Sequence, residues 1–341
     1  MFNLKYVIMK LEKKQLKFIL FVLLGLLCVI GLVFYILRTT NKSTDIKTIK
    51  VAQFGDVFIY SPLYLADVKG FFEEEGLKIE LINTGGDDKT YAAVISGAAV
   101  FGVADPVFAA IAQEKGIEGR VIGSIVNGVP FWAITKKNIA TITESSMLES
   151  YSVATFSAPS TAYTVQKKMF QDAGLKPNIK QGAFGGLIPM IDAGQADIAL
   201  ELEPNVSMAI ANGAKSVYSF VDIYPEFAFT GITTSLKTIE NDPELVQHFI
   251  NAITKAEQFA HQYPDSAAYY MCKLYPDIDS KIIYNAINRM VESNVLPQNA
   301  IISNEAWKAA VELRIELGDL KSDSKSDVVL DMSFAMESLK N

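Results

Sequence analysis

The chain has 341 residues, of which half are hydrophobic and a fifth are charged, so it is long enough to build two hydrophobic cores. Seven of its 31 basic residues and one of its 38 acidic residues precede Thr44, so the remainder carries a net charge of −13. A body this acidic repels a phosphate backbone, so we expect no nucleic-acid partner. Two cysteines far apart in sequence and only two histidines provide neither a disulfide framework nor a zinc site, so we expect no cofactor.

The first distinctive segment is an uncharged apolar stretch from Phe18 to Leu37. It is long enough to span a bilayer as a helix, and the lysines before it predict that residues 1–17 stay in the cytoplasm. Residues 38–48 then form a polar tether to an extracytoplasmic body. A cleaved signal peptide and a lipoprotein acylated at Cys28 are alternatives, although Leu27 stands where lipoprotein signals carry a small residue. Met9 is an alternative start to Met1.

From residue 49 the chain alternates short apolar strands with capped helices, which predicts parallel pairing and an α/β fold. The pattern has two units, one up to about residue 137 and one from about 151 to 213. After Asn241 the sequence is helical to about Gly318, with one apolar stripe along its first helix. His248 and His261 share that helix but lie on separate faces, so they do not predict a metal pair.

One phrase occurs in both units. A helix ends at Gly97 or Gly194, a buried strand follows, and then an acid and a proline begin another helix, at Asp105 and Glu203. Two similar α/β lobes each place loops at the carboxyl ends of their strands, where open sheets bind ligands. The phrase therefore predicts a cleft between two lobes. Each acid either caps its helix only or also faces that cleft.

Four segments in this order resemble a known family: "SPLYLADVKGFFEEEGLKIELI", "ISGAAVFGVADP", "GLIPMIDAGQADIALELEP" and "NDPELVQHFINAITKA". They are similar to extracytoplasmic solute-binding proteins of ABC importers, in the branch for nitrate, sulfonates, taurine and the thiamine pyrimidine precursor, which includes thiamine pyrimidine synthase-like proteins. The resemblance covers about residues 49–318.

The resemblance implies a two-lobed, periplasmic-binding-protein-like type II fold with a helical C-terminal part. Two crossover strands, near Trp132–Lys137 and Phe227–Thr234, would join lobe 1 (49–135 plus 232–341) to lobe 2 (136–231). The lobes would close on a solute by a hinge motion, and the closed protein would dock on a permease that works with a cytoplasmic ATPase.

Nine residues are predicted to face the solute from loops at strand ends or at the return crossover. They are Gln53, Phe54, Tyr60, Asp105, Ser157, Ser160, Thr161, Glu203 and Thr230. The hydroxyls of "FSAPSTAY" open a helix, so they either cap it or also receive an anion or a carbonyl oxygen. Aromatic residues are dense near the same loops, where some can stack on a flat ring.

The charges near these loops favour a neutral or weakly basic heteroaromatic solute, such as a thiamine pyrimidine precursor or a flavin. The four arginines, Arg38, Arg120, Arg289 and Arg314, all lie outside the predicted cleft loops, and a dianion needs such a fork-like donor. The alternative is an aliphatic sulfonate, taurine or nitrate, held by helix N-termini and by Lys136 or Lys137.

Two other classes are less favoured. Pyrimidine-synthesising enzymes of the same fold carry a cysteine-rich motif and an active-site histidine, neither of which occurs at the expected place here, so no catalytic residue is predicted. A receptor-linked sensor needs a cytoplasmic output module, and only residues 1–17 precede the apolar stretch.

Overall fold

The computed structural model describes residues 18, 21–23, 25–26, 46–158, 160–322 and 325–340. The predicted membrane segment falls mostly outside these residues, as do Cys28 and the tether up to residue 45; the described residues from 18 to 26 are helical and exposed. Within the described part of the chain, no helix is both long and apolar enough to cross a bilayer. Residues 46–341 form one compact unit.

Ten strands form two five-stranded sheets. The strands are β1 (Lys47–Gln53), β2 (Leu77–Asn83), β3 (Phe101–Ala104), β4 (Gly119–Asn127), β5 (Trp132–Thr135), β6 (Val153–Phe156), β7 (Ile179–Gly182), β8 (Ile198–Glu201), β9 (Lys215–Ser219) and β10 (Ala228–Ser235). The first sheet has the order β2-β1-β3-β10-β4, and the second has the order β7-β6-β8-β5-β9. The predicted α/β class is confirmed, while β7 and β9 were not predicted from the sequence.

The two sheets repeat one layout. The first three strands of each sheet run parallel, whereas the fourth, β10 or β5, runs antiparallel to both of its neighbours. Purely parallel pairing was therefore wrong for these two positions. The chain changes sheets between Asn127 and Trp132 and returns between Ser219 and Ala228. The lobe boundaries 49–135, 136–231 and 232–341 stay a prediction.

Fourteen α-helices in the described residues connect and cover the strands. They are α1 (Ser61–Val68), α2 (Phe71–Glu74), α3 (Asp87–Ile95), α4 (Val107–Gln113), α5 (Thr161–Asp172), α6 (Leu187–Asp192), α7 (Asn205–Ala211), α8 (Phe220–Ile223), α9 (Leu236–Asn241), α10 (Pro243–Gln262), α11 (Pro264–Leu274), α12 (Ser280–Glu292), α13 (Asn304–Glu316) and α14 (Ser333–Ser338). Short 3-10 turns occur at Phe58–Tyr60, Ser145–Ser150 and Ser326–Val329.

The longest helix, α10, shows why the C-terminal part packs on the first sheet. Asp242 caps it by accepting a hydrogen bond from the Leu245 amide, and the predicted apolar stripe is buried. Phe249 stacks on Phe101 of β3 with ring centroids 4.1 Å apart, and it also meets Phe72 of α2. Burial of this aromatic contact and of the aliphatic side chains along the stripe stabilises the helix on the sheet.

Gly102 in β3 is required by close packing. A Cβ atom there would lie 2.8 Å from Thr233 Oγ1 and 2.9 Å from Val94 Cγ2. We expect Gly102→Ala to lower the free energy of unfolding by about 1 to 2 kcal/mol, because one extra methyl group must displace both neighbours. Urea denaturation tests this, with Gly55→Ala as the control, since no heavy atom lies within 4 Å of a Cβ at that position. Equal stability of the two variants would contradict the argument.

Candidate functional site

A cavity of about 730 Å³ lies between the carboxyl ends of the two sheets. Loops after β1, β2 and β3 line one wall, and loops after β6, β7 and β8 line the other. Phe131 comes from the segment between β4 and β5, Phe229 and Thr230 come from the start of β10, and Arg314 comes from α13. Both the volume and the position are typical of small-molecule sites in α/β proteins.

Aromatic rings dominate this cavity. Seven line it: Phe54, Tyr60, Phe108, Phe131, Phe156, Phe184 and Phe229. Phe131 makes edge contacts with Phe156 and Phe229, with centroids 6.0 and 5.6 Å apart, and Phe156 stacks on Phe184 at 5.8 Å. The Phe184 ring is 64% exposed, so it has a free face at the mouth. This lining suits a flat ring, which gains both apolar burial and stacking.

Seven of the nine predicted residues line the cavity: Phe54, Tyr60, Asp105, Ser157, Ser160, Thr161 and Thr230. Their role in binding stays a prediction. Gln53 does not line it, because its amide is buried and bonded to Asn83 Oδ1 at 2.7 Å and to the Tyr64 hydroxyl at 3.1 Å.

The placement of Glu203 at the cleft was wrong. Its carboxylate is 1% exposed and accepts hydrogen bonds from Arg289 Nε at 2.7 Å and from the Ser207 amide at 3.0 Å. The repeat is not exact: Asp105 directly follows β3, whereas Leu202 separates Glu203 from β8. Leu202 takes the cavity-facing position instead.

All four arginines were placed outside the predicted cleft loops, but Arg314 lines the cavity from α13. Its guanidinium pairs with Asp105 through Nη2 and with Asp319 through Nη1 at 3.1 Å, and it lies over the Phe108 ring at 5.4 Å. Asp105 also accepts a hydrogen bond at 2.9 Å from the amide of Val107, the first residue of α4. No local sequence pattern predicts the contact between Arg314 and Asp105, which are 209 residues apart in sequence. Nη1 and Nη2 of Arg314 are therefore each paired with a carboxylate of the protein.

Further acids line the first wall, namely Asp56, Asp87 and Asp88. Asp56 accepts from the Tyr275 hydroxyl at 2.8 Å. Burial, followed by the nearby Asp105 carboxylate, raises the pKa of Asp87 to about 6. Burial, with a smaller contribution from Asp87, holds the pKa of Tyr60 well above its usual value, so its hydroxyl remains a donor. Asp87 was not among the residues predicted from the sequence.

The second wall presents hydroxyls at the start of α5. Ser160 caps this helix, since its Oγ accepts from the Tyr163 amide at 3.2 Å. The capping interpretation is thus confirmed, and Ser157 and Thr161 lie beside it at the cavity. Lys136 and Lys137, the alternative cationic contacts, do not line the cavity and instead pair with Asp192 and Asp197.

Two similar α/β sheets with a cavity between their carboxyl ends define the class of periplasmic-binding-protein-like folds. Within that class, residues 58–267 match the model of the family described as NMT1/THI5 like, and the chain belongs to this family. The resemblance stated from the sequence is confirmed.

Relatives and solved structures agree with this fold. The chain is 22% identical over 317 residues to YtlA of Bacillus subtilis, which is named as a binding protein, covering 87% of this chain and 92% of that one. It is 26% identical over 342 residues to a Bacillus subtilis protein named as binding aliphatic sulfonates, covering 93% and 97%. The periplasmic aliphatic sulphonate binding protein SsuA from Escherichia coli superposes with a TM-score of 0.67 at 14% identity, covering 84% and 92%.

Proposed function

We propose that this protein is the solute-binding component of an ABC importer, working on the extracytoplasmic face of the membrane. It captures a small polar or heteroaromatic solute in the cavity and delivers it to the permease. The main support for this proposal is the aromatic cavity between the carboxyl ends of two sheets with the same layout. The names of the relatives support a binding role over a pyrimidine-synthesising enzyme of the same fold.

A heteroaromatic solute of the thiamine-precursor or flavin kind suits the lining best. Seven rings offer stacking, and four carboxylates face one guanidinium that is already paired. An aliphatic sulfonate, taurine or nitrate is the second candidate. It is favoured by the names of two similar proteins and by the start of α5 at the cavity wall.

We also propose that residues 18–37 anchor the protein as an uncleaved membrane helix, with acylation at Cys28 as the alternative. The sequence of this stretch supports the anchor. Membrane fractionation with intact mass measurement separates the two, because acylation removes the residues before Cys28 and adds lipid, whereas an anchor leaves the chain unchanged.

The function is tested by a thermal-shift panel on the full chain, followed by uptake with the permease and ATPase in vesicles. The panel holds the thiamine aminopyrimidine, flavins, taurine, alkanesulfonates and nitrate. A solute at a hundred times its Kd adds about 2.7 kcal/mol to the free energy of unfolding. A solute that stabilises the protein but never enters vesicles would contradict the importer role.

Phe184→Ala is expected to weaken solute binding roughly threefold to tenfold, because it removes one stacking face from the cavity mouth. The exposed position of Phe184 keeps the cost to folding small. Titration calorimetry measures the change. Tyr269→Ala is the matched control, since this ring is 52% exposed and lies outside the cavity. Equal affinity of the two variants would remove Phe184 from the site.

A further inference from the structure

Asp87 occupies a distinct position in the cavity wall. It is the first residue of α3, and its Oδ1 accepts a hydrogen bond from the Asp105 amide at 3.0 Å. This contact fixes the carboxylate against the loop that follows β3. Among the described residues, its second oxygen, Oδ2, has no hydrogen-bond partner, and the side chain lines the cavity.

Three charged groups near Asp87 already have partners in the protein. Asp105 bonds to the Val107 amide and pairs with Arg314, and Arg314 is shared with Asp319. Asp56 is bonded to Tyr275. Asp105 was the acid that the sequence favoured for a ligand contact, but in the structure its oxygens serve the wall itself. Asp87 keeps a free acceptor, Oδ2, at the cavity, and unlike the exposed Asp88 it is held in place by a hydrogen bond to the wall.

The surroundings of Asp87 favour a cation and oppose an anion. Asp105 and Asp88 add negative charge, Arg314 adds positive charge, and the Tyr60 hydroxyl is close enough to respond to the carboxylate. The combined effect of burial and these charges raises the pKa of Asp87, so its ionised form lacks sufficient compensation. A protonated nitrogen beside Oδ2 supplies that compensation, whereas a sulfonate adds a further negative charge.

We propose that Asp87 determines ligand specificity by accepting a hydrogen bond from a positively charged nitrogen or an N–H group on an aromatic solute. This inference rests on the proposed solute-binding function and assigns the solute a chemical class. The aromatic rings hold the flat part of the solute, and Asp87 selects its charge.

Two probes that share a phenyl ring test the assignment, namely benzylamine, which stays protonated near neutral pH, and benzenesulfonate, which stays anionic. The full chain is titrated with each probe by calorimetry, in the wild type and in Asp87→Asn and Asp265→Asn. Asp265 is the matched control, because it is also an aspartate in the first turn of a helix but is exposed and lies outside the cavity. Thermal unfolding of each variant verifies that the fold is retained.

We expect the wild type to bind benzylamine more tightly than benzenesulfonate. Asp87→Asn should weaken benzylamine binding roughly tenfold to a hundredfold, the range for a hydrogen bond to a charged group. Asp265→Asn should change it less than about threefold, because this charge is exposed and lies outside the cavity. In the wild type, benzylamine affinity should rise from about pH 5 to about pH 7 as Asp87 loses its proton, and this dependence should vanish in Asp87→Asn.

Four results would overturn the assignment: unchanged benzylamine affinity in Asp87→Asn, equal losses in both variants, preference for benzenesulfonate, or no binding of either probe. The uptake assay keeps this question separate from the proposed function. If the vesicles import a solute from the panel while Asp87→Asn is neutral, the importer role stands and the role of Asp87 falls.

Discussion

Replacing Arg289 with methionine is expected to lower the free energy of unfolding by about 3 kcal/mol, the lower end of the range for breaking a buried ion pair. Glu203 has a fully buried side chain, and Arg289 of α12 donates to it at 2.7 Å from a side chain that is 30% exposed. Methionine fills similar space without a charge, so the carboxylate stays buried and loses its counterion. Urea denaturation measures the loss.

The free energy of unfolding lost in Arg289→Met should grow as the pH rises. Burial raises the pKa of Glu203 despite the opposing effects of Ser207 and Arg289, so this group favours folding at low pH and loses that contribution as the pH rises through its folded pKa. Without Arg289 the folded pKa moves higher still, so the variant should be weaker at about pH 8 than at about pH 5.

Two controls accompany this variant. Lys308→Met breaks a surface pair with side chains 75% and 60% exposed, and it should change stability by less than about 0.5 kcal/mol. Glu203→Gln retains an acceptor for the Ser207 amide and should cost less than Arg289→Met. An Arg289→Met variant as stable as the surface control would refute the argument.

The opposite effect is expected for Glu257→Met, which should raise the free energy of unfolding at neutral pH by about 2 to 3 kcal/mol. Glu257 lies in α10 and is fully buried, and neither of its carboxylate oxygens has a hydrogen-bond partner among the described residues. A buried, unpartnered polar group carries its full desolvation cost, and methionine packs the same space without it.

This gain depends on pH with a definite sign. Burial raises the pKa of Glu257 well above its usual value, so the folded protein holds a proton that the unfolded chain releases near pH 4 to 5. Wild-type stability should therefore fall by up to about 1.4 kcal/mol per pH unit above that point, until the folded pKa is reached. The variant lacks this slope, so its advantage should be smaller at about pH 4 than at about pH 7.

Glu312→Met is the control, because Glu312 is an exposed glutamate on another helix, and it should shift stability by less than about 0.5 kcal/mol at either pH. A Glu257→Met variant that is less stable than the wild type at neutral pH would indicate that the carboxyl group makes a favourable contact in the core.

The sequence predicted those parts of the fold that local patterns encode. The helix α10 could be predicted from Asp242, Pro243 and the apolar stripe through Phe249, because caps and helical periodicity are properties of neighbouring residues. The antiparallel places of β5 and β10 were missed, since strand order depends on pairing between distant segments. The residues of a strand do not by themselves specify which strands it pairs with.

For the candidate site, too, the features set by neighbouring residues were predicted and those set by distant residues were not. Strand ends located seven of the nine predicted residues at the cavity, because parallel strands share an edge. The repeat led to the wrong placement of Glu203. One extra residue, Leu202, separates this acid from β8, so its carboxylate meets a different partner. Arg314 and Asp87 were missed because their roles depend on Asp105, which is distant from both in sequence.

The exchange of strands between the two sheets determines the order in which they can be completed during translation. The second sheet draws all five strands from residues 132–219, so a nascent chain can assemble it as soon as that stretch has left the ribosome. The first sheet begins earlier but finishes later, since β10 must emerge before it can fill the gap between β3 and β4. Until then both strands present open edges, which are the kind of surface that chaperones protect.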